Sequence, residues 1–230
     1  MTKMTTTAIR CGIVLSALLI TFPTAIQAQG AAGDVTQWRG ANRDGVVTGF
    51  AAPAVWPEQL TRRWNIDVGL GYATPLVVGN RIYMFARQGD DEVMSAINAD
   101  SGEVLWRTSY PAPFTMQSAA VPHGAGPKST PVLSNGRLFA IGMTGVVTAF
   151  DVESGAQVWQ KPGSPLVPRY TTHAFSPVVE GDTVIFHLGG EEQGELTAYN
   201  VNTGDVVWSW DGDAPGYGSP IVAAFGGVRQ

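Results

Sequence analysis

The decapeptide INADSGEVLW at residues 97–106 returns in related form as FDVESGAQVW at 150–159 and YNVNTGDVVW at 199–208. Alanine precedes each copy, at Ala96, Ala149 and Ala198. The shared pattern runs from an apolar or aromatic residue through Asp or Asn, two spacers, Ser or Thr, and Gly to a short apolar run that closes on tryptophan. So much agreement, three times over, marks a repeated structural unit. Its physical content is a hairpin. Asn98, Asp151 and Asn200 can accept hydrogen bonds from backbone amides two residues on, and Gly102, Gly155 and Gly204 supply the left-handed residue that reverses the chain. Val104–Trp106, Val158–Trp159 and Val206–Trp208 then read as the returning strands.

A second block lies upstream of each hairpin: TPLVVGNRIYMF at 74–85, TPVLSNGRLFAI at 130–141 and SPVVEGDTVIFH at 176–187. Each reads as strand, two-residue turn, strand, with Gly79-Asn80, Asn135-Gly136 and Gly181-Asp182 at the turns. A fourth start, SPIVAAFGGVRQ, begins at Ser219. Four antiparallel strands in about 45 residues is the period of a propeller blade. The predicted class is therefore all-β, a β-propeller of four-stranded blades with three complete blades in residues 60–230. The 28 glycines and the 44% apolar content suit short strands joined by tight turns. Trp64, in TRRWNI, has no hairpin before it and reads as the outer strand of a blade whose other strands come from elsewhere. Three blades and two orphan pieces do not close a ring, so the expectation is the N-terminal portion of a longer propeller.

The first 28 residues read as a secretory signal. Lys3 and Arg10 form a basic start, Cys11 to Phe22 an apolar core, and Ala28 a small residue suited to cleavage. That core is too short to span a bilayer, which takes about 20 residues, and no later segment comes closer. Residues 29–59 are then an N-terminal extension of a periplasmic or extracellular protein. Cys11, the only cysteine, leaves with the signal, so no thiol or disulfide remains. Lys3 and Arg10 are two of the 14 basic residues, and their loss moves the net charge from −5 to −7. An acidic surface of that kind excludes nucleic acid as a partner.

The tryptophan repeats, each led by a Ser/Thr-Pro strand, resemble those of pyrroloquinoline-quinone-type β-propellers over residues 60–230. The segment TQWRGANRDGV at 36–46 is similar to the start of secreted bacterial propellers of this group. The resemblance implies a propeller fold in which Trp64, Trp106, Trp159 and Trp208 dock neighbouring blades. It is compatible with quinoprotein alcohol or sugar dehydrogenases, with outer-membrane assembly scaffolds and with plain binding modules. For a dehydrogenase it would imply pyrroloquinoline quinone with calcium in the channel. The residues themselves assign neither group, and no Gly-x-Ser-x-Gly elbow is present.

The residues just before each Ser/Thr-Pro element, Tyr72, Lys128, His173 and Tyr217, are the candidate ring around the channel mouth, where they either bind a ligand or wedge the opening. His123, in the long loop 111–128, and Arg169, close to His173, are further candidates, and together they suit an anionic ligand. Two acidic turns, with Asp90, Asp91 and Glu92 in one and Glu191, Glu192 and Glu195 in the other, lack the alternating spacing of a calcium loop and read as solvated charge. No metal ligand set is assigned. The favoured expectation is a binding module for a protein or small ligand without catalysis of its own.

Overall fold

The computed structural model describes residues 33–163 and 172–230. The signal reading at 1–28 and the candidate Arg169 lie outside the described residues.

The chain forms three four-stranded antiparallel meanders, each in sequential order. The first blade comprises β1 (Leu76–Val78), β2 (Arg81–Gln88), β3 (Asp91–Asn98) and β4 (Val104–Pro111). The second comprises β5 (Val132–Ser134), β6 (Arg137–Ile141), β7 (Val147–Asp151) and β8 (Gln157–Lys161). The third comprises β9 (Val178–Glu180), β10 (Thr183–Gly189), β11 (Gly194–Asn200) and β12 (Val206–Gly212). A short hairpin of β13 (Ala224–Phe225) and β14 (Val228–Arg229) follows. These are four-stranded blades of the kind the repeats predict.

The hairpin chemistry read from the repeats is in place. Asn98 Oδ1 accepts from the Asp100 and Ser101 amides at 2.9 and 3.0 Å, and Asp151 and Asn200 do the same for the amides two and three residues on. Gly102, Gly155 and Gly204 take φ of 76°, 71° and 71°. The alanine that leads each copy also acquires a reason. Ala96, Ala149 and Ala198 pair across the sheet with Trp106, Trp159 and Trp208, and a bulge follows each one. A fully buried methyl opposite the indole leaves room for the ring to lean onto the next blade.

Blades pack face to face through two apolar layers. Tyr83, Phe85 and Met94 of the first blade meet Leu138, Ala140 and Phe150 of the second. Phe139, Ile141 and Val147 of the second meet Val184, Phe186 and Tyr199 of the third. The middle blade is therefore covered on both faces, which is why β6 reads as the unbroken apolar run LFAI rather than an alternating one.

Two ladders of hydrogen bonds tie blade to blade. On one, the Nε1 of Trp64, Trp106 and Trp159 donates to Ala99 O, Val152 O and Val201 O at 2.9, 3.2 and 3.1 Å. Each acceptor directly follows the Asx residue of the next hairpin, and each indole lies against that hairpin's glycine. Trp208 is 41% exposed on β12, a strand open to solvent along its length. Trp64 reaches the hairpin of the first blade through its indole, but residues 61–69 carry no strand where an outer strand was the expectation. On the other ladder, the amides of Thr74, Thr130 and Ser176 donate to the hydroxyls of Thr130, Ser176 and Ser219, each at 3.0 Å. The Ser/Thr of every Ser/Thr-Pro element is a latch between inner strands as well as a strand start.

The N-terminal extension docks on those inner strands. Val35 bridges Val77, Thr36 O accepts from the Leu133 amide at 2.7 Å, and Asp34 Oδ1 accepts from the Gly79 amide at 2.9 Å. Arg43 is buried and donates to Ser176 O and Pro177 O at 3.0 and 2.8 Å, so one short segment touches the inner edges of all three blades.

Candidate functional site

The face of interest is set by an antiparallel bridge between Leu70 and Arg87, which lays the approach to the first inner strand beside the β2–β3 turn. The Tyr72 amide donates to Pro127 O at 2.7 Å, joining the approaches to the first two blades. Lys128 then sits with Nζ 4.5 Å from the centre of the Tyr72 ring and donates to His123 O and Gly124 O at 3.3 and 3.1 Å. Its partial burial lowers the ammonium pKa. The 3₁₀ turn Ser118–His123 supplies the first of those carbonyls. The structure therefore unites Tyr72, His123 and Lys128, and Lys128 is a half-buried, bonded cation rather than a solvated one. Tyr72 and Tyr217 remain 60% and 58% exposed, and Leu70 and Val121 are equally open.

His173 separates from this group. It is buried, with Nδ1 3.5 Å from Met143 O in the β6–β7 connection of the second blade. Burial lowers its pKa from the ordinary 6.5 to about 4, opposed by the hydrogen bond to the Met143 carbonyl and reinforced by His187. The folded state thus holds the ring neutral where the unfolded chain would protonate it. Its contribution to stability is complete above about pH 6.5 and is lost as pH falls toward about 4, a change of about 3 kcal/mol. Glu92 acts in the opposite sense, so the measurement is a difference. Between about pH 7 and pH 4, denaturant titration should show the native protein losing about 3 kcal/mol relative to His173→Gln, and a pH-independent difference would contradict the buried neutral ring.

Glu92 corrects the sequence reading. It was expected as solvated charge, yet it is fully buried between the first and second blades, with Tyr110 Oη donating to Oε2 at 2.8 Å and the Met143 amide to Oε1 at 2.6 Å. Burial raises its pKa, opposed by those two hydrogen bonds and by Arg87. A Cβ on Gly142 would lie 1.7 Å from Oε2, so glycine there is what admits the carboxylate. The signal that finds this residue is register: Glu92 pairs with both Arg87 and Tyr110 across the sheet.

The acidic turns do not converge on a common point. Asp90, Glu191 and Glu192 are exposed, Glu195 accepts from Thr197 Oγ1 at 2.5 Å, and both Glu92 oxygens are occupied. Among the described residues no group of three His, Cys, Asp or Glu side chains gathers. These carboxylates do not fit a shared calcium ion.

With this geometry in view, the family model described as outer membrane protein assembly factor BamB matches residues 43–224. The chain belongs to this family. A BamB-family relative from Burkholderia pseudomallei is 30% identical over 169 residues, covering 73% of this chain and 40% of its own length. The methanol dehydrogenase [cytochrome c] subunit 1 of Methylorubrum extorquens is 28% identical, covering 66% of this chain and 25% of its own. Among solved structures, a europium-containing methanol dehydrogenase is similar at 24% identity with a TM-score of 0.48, over 63% of this chain and 25% of that one. This BamB-family chain spans less than half the length of the curated relatives it matches. No helix among its described residues is long and apolar enough to cross a membrane.

Proposed function

We propose that the chain is a periplasmic propeller module that binds a protein through the face carrying Tyr72 and Tyr217, without catalysis of its own. One observation carries this reading: the groups on that face with reactive chemistry point inward, while contact chemistry points outward. Glu92 and His173 are buried and bonded to Met143, whereas Leu70, Tyr72, Val121 and Tyr217 are exposed. Exposed tyrosines and aliphatic side chains beside a cation are the composition of a protein-binding surface. The name of the matching family, an outer membrane protein assembly factor, supports a protein partner of the assembly machinery.

The experiment is affinity capture from a solubilised envelope fraction with the tagged protein, followed by identification of what is retained. An outer-membrane assembly component should be retained by the native protein, and Tyr72→Ala/Tyr217→Ala should lose it while its far-ultraviolet spectrum is unchanged. Dye reduction with alcohols after loading with pyrroloquinoline quinone and calcium would overturn the reading in favour of a quinone-dependent dehydrogenase.

A further inference from the structure

The N-terminal segment lies along the free edges of the inner strands. Val35 and Val77 exchange both backbone hydrogen bonds, at 2.7 and 3.0 Å, and the next carbonyl, Thr36 O, takes the Leu133 amide. Val77 and Leu133 hold equivalent places in TPLVV and TPVLS, whereas Val179, their counterpart in SPVVE, receives no backbone bond from residues 34–46. The segment starts at Gly79, beside the β1–β2 turn, and Arg43 ends it at Ser176 and Pro177, just before β9. It thus spans the inner edges from one end of the blades to the other.

Holding this contact is costly. Arg43 is 7% exposed and donates to the Ser176 and Pro177 carbonyls and to Gln37 Oε1, with no carboxylate among those acceptors to offset its desolvated charge. Arg39 and Arg43 take φ of 61° and 58°, a left-handed conformation unfavourable to any residue with a side chain. The loop 37–46 also keeps its shape through its own bonds. The Gly40 and Gly45 amides donate to Gln37 O and Arg39 O, Gln37 Nε2 donates to Ala41 O, and the Cζ atoms of Arg39 and Arg43 lie 5.4 and 5.6 Å from the centre of the Trp38 ring. Val46, Val47 and Phe50, which follow, are largely exposed and give it no apolar anchor. Few bonds to the blades, a buried cation and a strained backbone are the marks of a unit that opens by itself.

We propose that residues 34–43 are a removable strap, the resident occupant of a peptide-binding edge built by β1 and β5, and that an extended peptide takes this edge in trans when the strap lifts. The strap shows what such a peptide must supply: a backbone N–H for Val77 O, two successive carbonyls for the Val77 and Leu133 amides, and a carboxylate one residue earlier for the Gly79 amide. Strand addition of this kind draws its affinity from main-chain hydrogen bonds. While seated, the strap covers inner edges whose backbone groups would otherwise stand unpaired.

Amide hydrogen exchange on the native chain tests the lifting. The Val77, Gly79 and Leu133 amides should exchange as one group, about tenfold or more faster than the amides of β3, which is paired on both sides. Exchange of the three only at the β3 rate overturns the proposal. A fluorescent peptide of residues 33–46 tests the edge. Arg43→Gln gives up the bonds to Ser176 O and Pro177 O, so it should bind the peptide about tenfold tighter than the native chain, whose edge is mostly occupied. Saturating peptide should also shift the Val77 and Leu133 amide signals of the native protein, a reading independent of the variant. The same peptide methylated on the Val35 nitrogen cannot donate to Val77 O and should lose binding. Unmoved amide signals, equal affinity of the two proteins, or equal binding of the methylated peptide overturns the proposal.

Discussion

Replacing Trp159 by alanine is expected to cost about 4 kcal/mol of folding stability, the range for deleting a buried aromatic side chain. The ring is 8% exposed and tilted against Phe139 at 5.8 Å and Tyr199 at 6.1 Å, so it belongs to the apolar layer between the second and third blades. Its loss also leaves Val201 O without the indole donor and uncovers Gly204. Trp208 occupies the same register position one blade later but is 41% exposed, so Trp208→Ala should change stability by less than about 1 kcal/mol. Urea titration followed by circular dichroism measures both. Equal losses would mean that the indoles contribute as strand residues rather than as ties between blades.

The second large effect falls on the glycine under an indole. Gly155→Ala places a Cβ 2.4 Å from Trp106 Cε3, at a residue whose φ is 71°. The left-handed conformation costs about 1–2 kcal/mol with a side chain present, and displacing a packed ring adds about 1–3 kcal/mol. The expected loss is about 3 kcal/mol. Gly136→Ala is the control, since φ is 73° there and no atom lies within 4 Å of the added carbon, so it should show the backbone cost alone. Urea midpoints of the two variants separate ring contact from backbone strain, and similar losses would remove the contact.

Much of the fold was legible because its determinants are local. Asn98, Gly102 and Trp106 lie within nine positions of one another, and each acts through chain geometry that the spacing alone specifies. What escaped was built from residues far apart. The latch hydroxyls of Thr130, Ser176 and Ser219 bond amides 56, 46 and 43 residues away, and Arg43 reaches carbonyls 133 and 134 residues on. Glu92 looked like turn charge because Asp90 and Asp91 precede it. Its burial follows from Tyr110, which strand register sets opposite it, and from Gly142 and Met143 in the next blade, which chain position does not mark as partners.

Tyr72, Lys128 and His173 each precede the inner strand of a blade, whereas residues 218–223 after Tyr217 carry no strand, and Tyr72 and Lys128 are in contact. One step along the chain decides the difference. His173 stands three residues before its Ser-Pro serine, whereas the other three stand two before theirs, and His173 alone is turned toward Met143.

Proton exchange at the indole nitrogens tests the wedge-and-tie architecture most directly, because it reads each blade contact separately. In proton–nitrogen spectra in fresh deuterium oxide, the Nε1–H signals of Trp64, Trp106 and Trp159 should persist, since each donates to a carbonyl of the next blade, and that of Trp208 should vanish first. Loss of all four at one rate would contradict the architecture.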